Sequence, residues 1–267
     1  MLIPRWIQCA ALAAACSLTL SAQQAPSGFH TVNCIKVNPE KSAEFHKWMA
    51  EVVTKLAQSR VESGALSTWY LLRAVMPAGQ SAECDYLTVS IYPGAPPEPL
   101  AGEQLSAALK KANLSITSDE YRAQRDAVAT LVSTNMMVNQ VSVGKANKGG
   151  YLAVNYMKTA NLDGWLKLEK ELWKPVAEQM VKDGVTSGWS LNIRALGLNS
   201  DLPWQGVTVD IFPNWDAVFK NDPQFADRVK KVHPDKDLNA MFEQFGKART
   251  MVKSELYAID DLITCCK

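Results

Sequence analysis

The sequence has little net charge, few histidines and no long apolar run beyond its first residues. Its formal net charge is +1, and it carries only three histidines, His30, His46 and His233. A chain without excess positive charge lacks the electrostatic surface that binds nucleic acid, so no nucleic-acid partner is expected. No apolar run of about 18 residues follows the N-terminal segment, so no membrane span is expected in the mature chain.

The motifs of the common catalytic and cofactor sites are also missing. The sequence has no Gly-rich phosphate loop, no G-x-S-x-G turn and no Cys-x-x-Cys pair. No histidine has a second His or a Cys at the spacing of a zinc site, and His46 is the only one on a predicted helix. The sequence therefore predicts neither a metal nor a cofactor.

The first 22 residues have the pattern of a removable secretory signal. Arg5 supplies the positive charge, residues 9–20 form a short apolar stretch, and small residues at 21–22 precede a cleavage point. A membrane anchor and a lipoprotein signal at Cys16 are the alternatives, but the stretch is shorter than a membrane span requires. The pattern predicts a periplasmic or secreted protein.

Four cysteines follow the signal: Cys34, Cys84, Cys265 and Cys266. In an oxidising compartment they are able to pair. Cys34 lies near the end of the first predicted strand and Cys84 at the start of the third. In the ferredoxin-like order these strands are antiparallel neighbours, so the two cysteines are able to meet. The alternative is that both are small buried residues without a bond.

The feature that organises the chain is an internal repeat at an offset of about 120 residues, which is the first pattern to seek in a sequence. The matched pairs are Gly64/Gly184, Ser67/Ser187, Trp69/Trp189, Thr88/Thr208, Val89/Val209, Ile91/Ile211, Pro93/Pro213, Gln124/Gln244, Thr130/Thr250 and Val132/Val252. Near the start of each copy the offset is 122, as in Asn33/Asn155. Distant blocks in one register indicate a tandem duplication.

Each copy has the same predicted order of elements, strand–helix–strand–strand–helix–strand. The first unit spans residues 27–144 and the second residues 150–264, with a short polar linker between them. The predicted strands are 29–37, 66–75, 85–92 and 135–143, then 150–158, 186–195, 206–212 and 254–263. The predicted helices run from Pro39 towards Gly64 and over 118–133, 162–182 and 237–252, and Pro175 is expected to bend the third of them.

This order defines an α+β fold of two tandem ferredoxin-like units. The sheet of such a unit leaves one face bare, and that face must be covered. Two units in one chain are expected to cover each other and to enclose a central space. Because the pair needs no second chain, a monomer is expected.

The second copy contains Leu172-Trp173-Lys174-Pro175, followed by Gly184 and Trp189. Together with the repeated unit, this run resembles exported members of the dimeric α+β barrel superfamily. That group includes cofactor-free antibiotic-biosynthesis-type monooxygenases, haem-degrading relatives and NIPSNAP-like proteins. The first copy departs from the pattern, because Lys55 stands where the second copy has Pro175.

Alternation on the third strand of each copy separates two faces. Leu87, Val89 and Ile91 and their repeats Val207, Val209 and Ile211 are predicted to pack on the helices. The opposite faces are predicted to line the central space and to bind a small molecule: Thr88, Ser90, Tyr92, Thr208, Asp210 and Phe212. The alternative is a well-paired polar interface without a ligand.

Asp210, Asn155 and Arg194 are the candidate catalytic residues. Asp210 lies in mid-strand, where Asp is rare, and it replaces Ser90 of the other copy. Burial would raise the pKa of its carboxyl and make it a candidate base. The alternative is a structural ion pair with a neighbouring Lys or Arg.

The resemblance to monooxygenases implies that Asn, Trp and Arg side chains hold a phenolic substrate within the barrel. By type and rough location, Asn33, Trp69 and Arg73 match this set. Together with Trp189, they are candidate ligand-binding residues. Strict alternation puts Trp189 and Arg194 on opposite faces unless a bulge intervenes. The alternative is that the tryptophans are core residues and the asparagines are hydrogen-bonded within the sheet.

Two functions follow from these observations. The first is an exported protein that binds a small molecule between two barrel halves without catalysis. The second is a cofactor-independent, monooxygenase-like enzyme that acts on a small aromatic substrate. A cavity of several hundred Å³ lined by Asn33, Asn155 or Asp210 would favour the second.

Overall fold

A computed structural model describes residues 28–196 and 202–265 of the chain. The predicted secretory signal over residues 1–22 and Cys266 lie outside these residues. Within the described part, no helix is both long enough and apolar enough to cross a membrane.

Eight antiparallel strands close into one barrel. Their order around the barrel is β1-β3-β2-β8-β5-β7-β6-β4, and β4 pairs again with β1. The strands are β1 (Phe29–Val37), β2 (Thr68–Met76), β3 (Tyr86–Ile91), β4 (Ala129–Gly144), β5 (Tyr151–Lys158), β6 (Gly188–Arg194), β7 (Gly206–Phe212) and β8 (Thr250–Thr264). The expectation of a mixed α+β fold with a closed barrel is therefore confirmed.

Two long strands close the barrel. β4 has 16 residues and pairs with β1 on one side and β6 on the other. β8 has 15 residues and pairs with β5 and β2. Each strand therefore joins the first and second parts of the chain through backbone hydrogen bonds, and the barrel has no free edge.

The sequence prediction placed the starts of these two strands too late. It extended helices over 118–133 and 237–252, whereas the helices end at Val128 and Ala248. The next residues are strand residues that pair with β1 and β5, as in Ala129 with Val37 and Thr250 with Lys158. These pairings join residues far apart in sequence, and a local pattern does not contain that information.

The helices lie outside the barrel. They are α1 (Ser42–Trp48), α2 (Thr54–Glu62), α3 (Gly102–Lys111), α4 (Ser118–Val128), α5 (Leu162–Leu168), α6 (Lys174–Lys182), α7 (Trp215–Phe219), α8 (Phe225–Val232) and α9 (Leu238–Ala248). No helix is predicted from the sequence at α3, α7 or α8.

A π-helical turn interrupts the long helix in each half of the chain. The turns are Met49–Val53 between α1 and α2 and Glu169–Trp173 between α5 and α6. Pro175 lies in the first turn of α6, directly after the second π turn. The π turn at Met49–Val53 forms without a nearby proline. Pro175 is therefore compatible with a π turn but is not required to form one.

Both faces of the barrel wall are buried. The interior holds a cluster that includes Leu72, Met137, Leu152 and Tyr257. Outside the wall, helices cover separate clusters, one around Phe45, Trp48 and Trp69 and another around Trp165, Trp189 and Leu191. A two-sided wall of this kind has apolar side chains on both faces of its strands.

A disulfide joins Cys34 on β1 to Cys84, just before β3, across 50 residues of sequence. The two strands are hydrogen-bonded neighbours, so the possible pairing of these cysteines is confirmed. Cys265 is an exposed free cysteine.

Replacing both Cys34 and Cys84 with serine should lower the free energy of unfolding by roughly 2–5 kcal/mol, because the bond restricts the unfolded chain. Guanidinium denaturation under oxidising conditions measures the change, and Cys265→Ser is the matched control. An unchanged midpoint in the double variant would contradict the structural role of the bond.

Candidate functional site

The barrel contains a cavity of about 770 Å³ that is partly open to solvent. An eight-stranded barrel is wide enough to be filled by side chains or to hold one small ligand. Most of the wall is apolar and comes from both parts of the chain. Its apolar lining includes Val32, Tyr70, Leu72, Leu87, Val89, Ile91, Leu152, Val154, Val207, Val209 and Ile211.

The predicted assignment of the two strand faces is wrong. The apolar sets Leu87–Val89–Ile91 and Val207–Val209–Ile211 line the cavity instead of packing on helices. The residues predicted to face the central space do not line it: Thr88, Ser90, Tyr92, Thr208, Asp210 and Phe212. Alternation identifies the two faces, but it does not say which is inside when both are buried.

One part of the cavity wall is polar. We call it the polar seam and define it as Asn139 on β4 with Ser190, Asn192 and Arg194 on β6. Asn139 Nδ2 donates to Asn192 Oδ1 at 2.9 Å, and Asn192 Nδ2 donates to Ser190 Oγ at 3.0 Å. The two strands pair Asn139 with Asn192 and Met137 with Arg194. The amides of the seam therefore hold one another in place.

Arg194 lies at the end of the seam with its guanidinium stacked on Trp204. The guanidinium carbon lies 3.9 Å from the centroid of the indole ring. Among the described residues, the buried Arg194 Nε has no hydrogen-bond acceptor. Burial lowers the pKa of Arg194 from its ordinary value, but an arginine remains cationic at neutral pH.

Trp204 also contacts Tyr156 on β5, and Tyr156 in turn contacts a second charged residue, Lys253. The Tyr156 and Trp204 rings meet edge to face at 5.1 Å, and Lys253 Nζ lies 4.4 Å from the Tyr156 centroid. Unlike Arg194, Lys253 donates to two carboxylates, Glu83 Oε2 and Glu255 Oε1, each at 2.9 Å. Burial alone would lower the pKa of Lys253, but these hydrogen bonds raise it overall.

His30 is a cavity residue that sequence analysis did not assign to the site. It is 8% exposed, and burial lowers its pKa to about 4. Met137 of β4 pairs with His30 of β1 on one side and with Arg194 of β6 on the other. Because its pKa is about 4, the imidazole of His30 is neutral at neutral pH. Its position at the start of β1 carried no motif, so no sequence signal distinguished it.

Asp210 and Asn155 lie together on the helix side of the wall. Asn155 Nδ2 donates to Asp210 Oδ2 at 2.9 Å. Burial raises the pKa of Asp210 to about 6, and the nearby Glu169 carboxylate adds to the shift. Glu169 is buried and accepts hydrogen bonds from Trp165 Nε1 at 2.8 Å and Arg249 Nε at 3.0 Å.

The first half has a small pocket at the equivalent place. It has a volume of about 110 Å³ and is lined by Asn33, Thr88 and Trp48 among others. Asn33 Nδ2 donates to Thr88 Oγ1 at 3.1 Å. The buried Trp48 Nε1 has no hydrogen-bond partner among the described residues.

The predicted set of Asn33, Trp69 and Arg73 does not converge on the barrel cavity. Asn33 lines the helix-side pocket, and Trp69 packs in the helix-side cluster of the first half. Arg73 is exposed and forms an ion pair with Asp260 at 3.0 Å. Trp189 borders the cavity but packs with Trp165 beneath the helices, while Arg194 lies in the cavity. The side chains of Trp189 and Arg194 therefore lie on opposite faces of β6, as strict alternation predicts.

The fold is similar to solved structures over most of the chain. A candidate monooxygenase of Fusobacterium nucleatum superposes with a TM-score of 0.57 and 13% identity, over 90% of this chain and 95% of the other. A candidate monooxygenase of Lactobacillus acidophilus gives 0.52 and 11%, over 89% and 96%. The fold is similar to the dimeric α+β barrel expected from the sequence. At these identities the likeness concerns the fold alone.

No protein-family model matches the sequence, and no curated protein matches it. Within residues 28–196 and 202–265, no group of three or more His, Cys, Asp or Glu side chains is arranged to hold a metal ion.

The raised pKa of Asp210 predicts a pH-dependent effect of Asp210→Asn on stability. The folded state keeps the proton up to about pH 6, whereas the unfolded state loses it near pH 3.8. Ionisation therefore destabilises the fold as pH rises through this window. The stability of the variant relative to wild type should grow by about 3 kcal/mol between about pH 4 and pH 7.

Urea denaturation at several pH values measures this difference, with the exposed Asp235→Asn as control. If Asp210→Asn and Asp235→Asn gave the same pH dependence, Asp210 would ionise as an exposed carboxylate does.

Proposed function

We propose that this chain is an exported protein that binds one small molecule inside its barrel. The observation that carries the proposal is the cavity of about 770 Å³. Its volume lies in the usual range for ligand sites, about 300–1,000 Å³, and its mostly apolar wall with a few polar groups is typical of them. Because both parts of the chain line it, the ligand would lie between the two halves.

Export is supported by two independent features. Residues 1–22 have the charge, apolar stretch and small residues of a secretory signal. The Cys34–Cys84 disulfide is a bond that persists in oxidising compartments and is rare in the cytosol.

We further propose that the barrel consists of two ferredoxin-like units produced by tandem duplication. Equivalent strand pairs recur at the sequence offsets: Asn33 pairs with Thr88, and Asn155 pairs with Thr208. The two π turns begin at Met49 and Glu169, also 120 residues apart. One chain supplies all eight strands, which supports a monomer as the working unit.

The alternative function is a cofactor-independent monooxygenase-like activity on a small aromatic substrate. The names of the two similar structures favour it. Its candidate residues Asn33, Asn155 and Asp210 do not line the large cavity, and the pocket that contains Asn33 measures about 110 Å³. That volume is below the usual range for a ligand site. Binding in the barrel is therefore the better supported function.

A neutral fluorescent dye, N-phenyl-1-naphthylamine, tests the proposal. Titration should show saturable binding of about one dye per chain, and Val209→Trp should weaken it because the larger indole takes up space at the wall of the cavity. The matched control is Val132→Trp, since Val132 is 45% exposed on β4. Circular dichroism verifies that both variants fold. Equal dye binding by the folded Val209→Trp variant would refute a site inside the barrel.

A further inference from the structure

The two strand pairs that join the halves of the barrel differ in chemistry. Where β2 meets β8, the inward positions are apolar: Leu72 pairs with Ile259 and Ala74 with Tyr257. At the equivalent positions where β6 meets β4, Asn192 pairs with Asn139 and Arg194 with Met137. Each residue of the second set lies 120 positions from its counterpart. One join is therefore an apolar wall, and the other carries the polar seam.

A buried polar group costs free energy unless it is hydrogen-bonded, and a buried charge costs more unless it is paired. The hydrogen bonds from Asn139 to Asn192 and from Asn192 to Ser190 offset this cost within the seam. The guanidinium of Arg194 has no carboxylate partner among the described residues. Its charge is therefore not neutralised by a carboxylate in this part of the chain, although the residue is only partly buried, with its Nε out of contact with solvent.

The guanidinium of Arg194 lies over the indole ring of Trp204. Stacking on the indole at 3.9 Å occupies one face of the group. The N–H bonds lie in the plane of the guanidinium and are thus not used by the stacking. An arginine held in this way presents a planar set of donors that matches the two oxygens of a carboxylate or a sulfonate.

The second cation near the cavity provides an internal comparison. Lys253 contacts the Tyr156 ring much as Arg194 contacts Trp204. Glu83 and Glu255 neutralise Lys253, so it has no need of an external anion. Between these two cations, Arg194 is the one with donors available for a ligand.

We propose that the ligand of the barrel is an amphipathic organic anion whose oxyanion pairs with Arg194 and whose apolar body lies against the aliphatic wall of the cavity. This proposal rests on the proposed binding function of the same cavity. The wall near Leu152, Val154 and Val209 suits a hydrocarbon or aromatic body. A neutral ligand of equal shape would leave the charge of Arg194 without a partner and would bind less tightly.

Two dyes with one carbon skeleton separate the anionic contact from the apolar contact. 8-Anilino-1-naphthalenesulfonate carries a sulfonate, and N-phenyl-1-naphthylamine is its neutral counterpart. Wild type should bind the sulfonate more tightly. Arg194→Gln should weaken sulfonate binding by roughly 10- to 100-fold, the range for a charge-assisted hydrogen bond, and should change neutral dye binding by less than about twofold.

Two further variants complete the comparison. Arg194→Lys keeps the charge but loses the paired donors, so its affinity for the sulfonate should lie between those of wild type and Arg194→Gln. Arg122→Gln removes one positive charge from α4, outside the cavity, and should leave both affinities unchanged. Displacement of the bound sulfonate by 1-naphthoate, but not by 1-naphthalenemethanol, would extend the result to carboxylates.

The outcomes distinguish the two proposals. If the neutral dye binds inside the barrel while Arg194→Gln and Arg194→Lys bind the sulfonate as wild type does, the anion proposal is overturned and the binding function stands. If neither dye binds wild type, or if Val209→Trp affects neither, the binding function itself is overturned.

Discussion

Closure of the barrel by β4 and β8 is the constraint on which the rest of the structure depends. Each of these strands forms backbone hydrogen bonds with one strand of the first half and one of the second. Without them, two separate sheets would each have open edges and one uncovered face. With them, the sheet becomes a continuous wall whose outer face is covered by helices and whose inner face surrounds a space of about 770 Å³. The shape of that space is therefore set by backbone pairing, and its chemistry by the side chains that point inward.

The sequence predicted where most strands lie along the chain but not their inner and outer faces. The positions of the strands along the chain follow from local alternation and turn residues, which the sequence contains. The face of a strand depends on closure, which joins β4 to β6 and β8 to β2 over long sequence separations. Asp210 shows the consequence, because its alternation with Val209 and Ile211 is visible in the sequence, whereas the side of the wall on which it lies is not. The same reasoning explains Thr88, whose hydroxyl accepts a hydrogen bond from Asn33 beneath the helices.

The residues of the candidate site differ in how far sequence could identify them. Arg194 was a candidate because it resembled Arg73, yet Arg73 forms a surface ion pair with Asp260 while Arg194 lies in the cavity. A one-residue difference in register therefore separates the two arginines on opposite faces of the wall. Trp204 and His30 were not predicted, since neither belongs to a repeated pair or to a motif. Their relation to Arg194 exists only once β5, β6 and β1 are placed around the same space.

The most direct test is a crystal structure of the protein with 4-bromobenzoate, in which the anomalous signal of bromine locates the ligand without ambiguity. We expect a single strong bromine peak inside the barrel, with the carboxylate on Arg194 and the ring against the aliphatic wall. A bromine peak beneath the helices near Asn33 or Asp210, or a barrel interior filled by side chains, would contradict it.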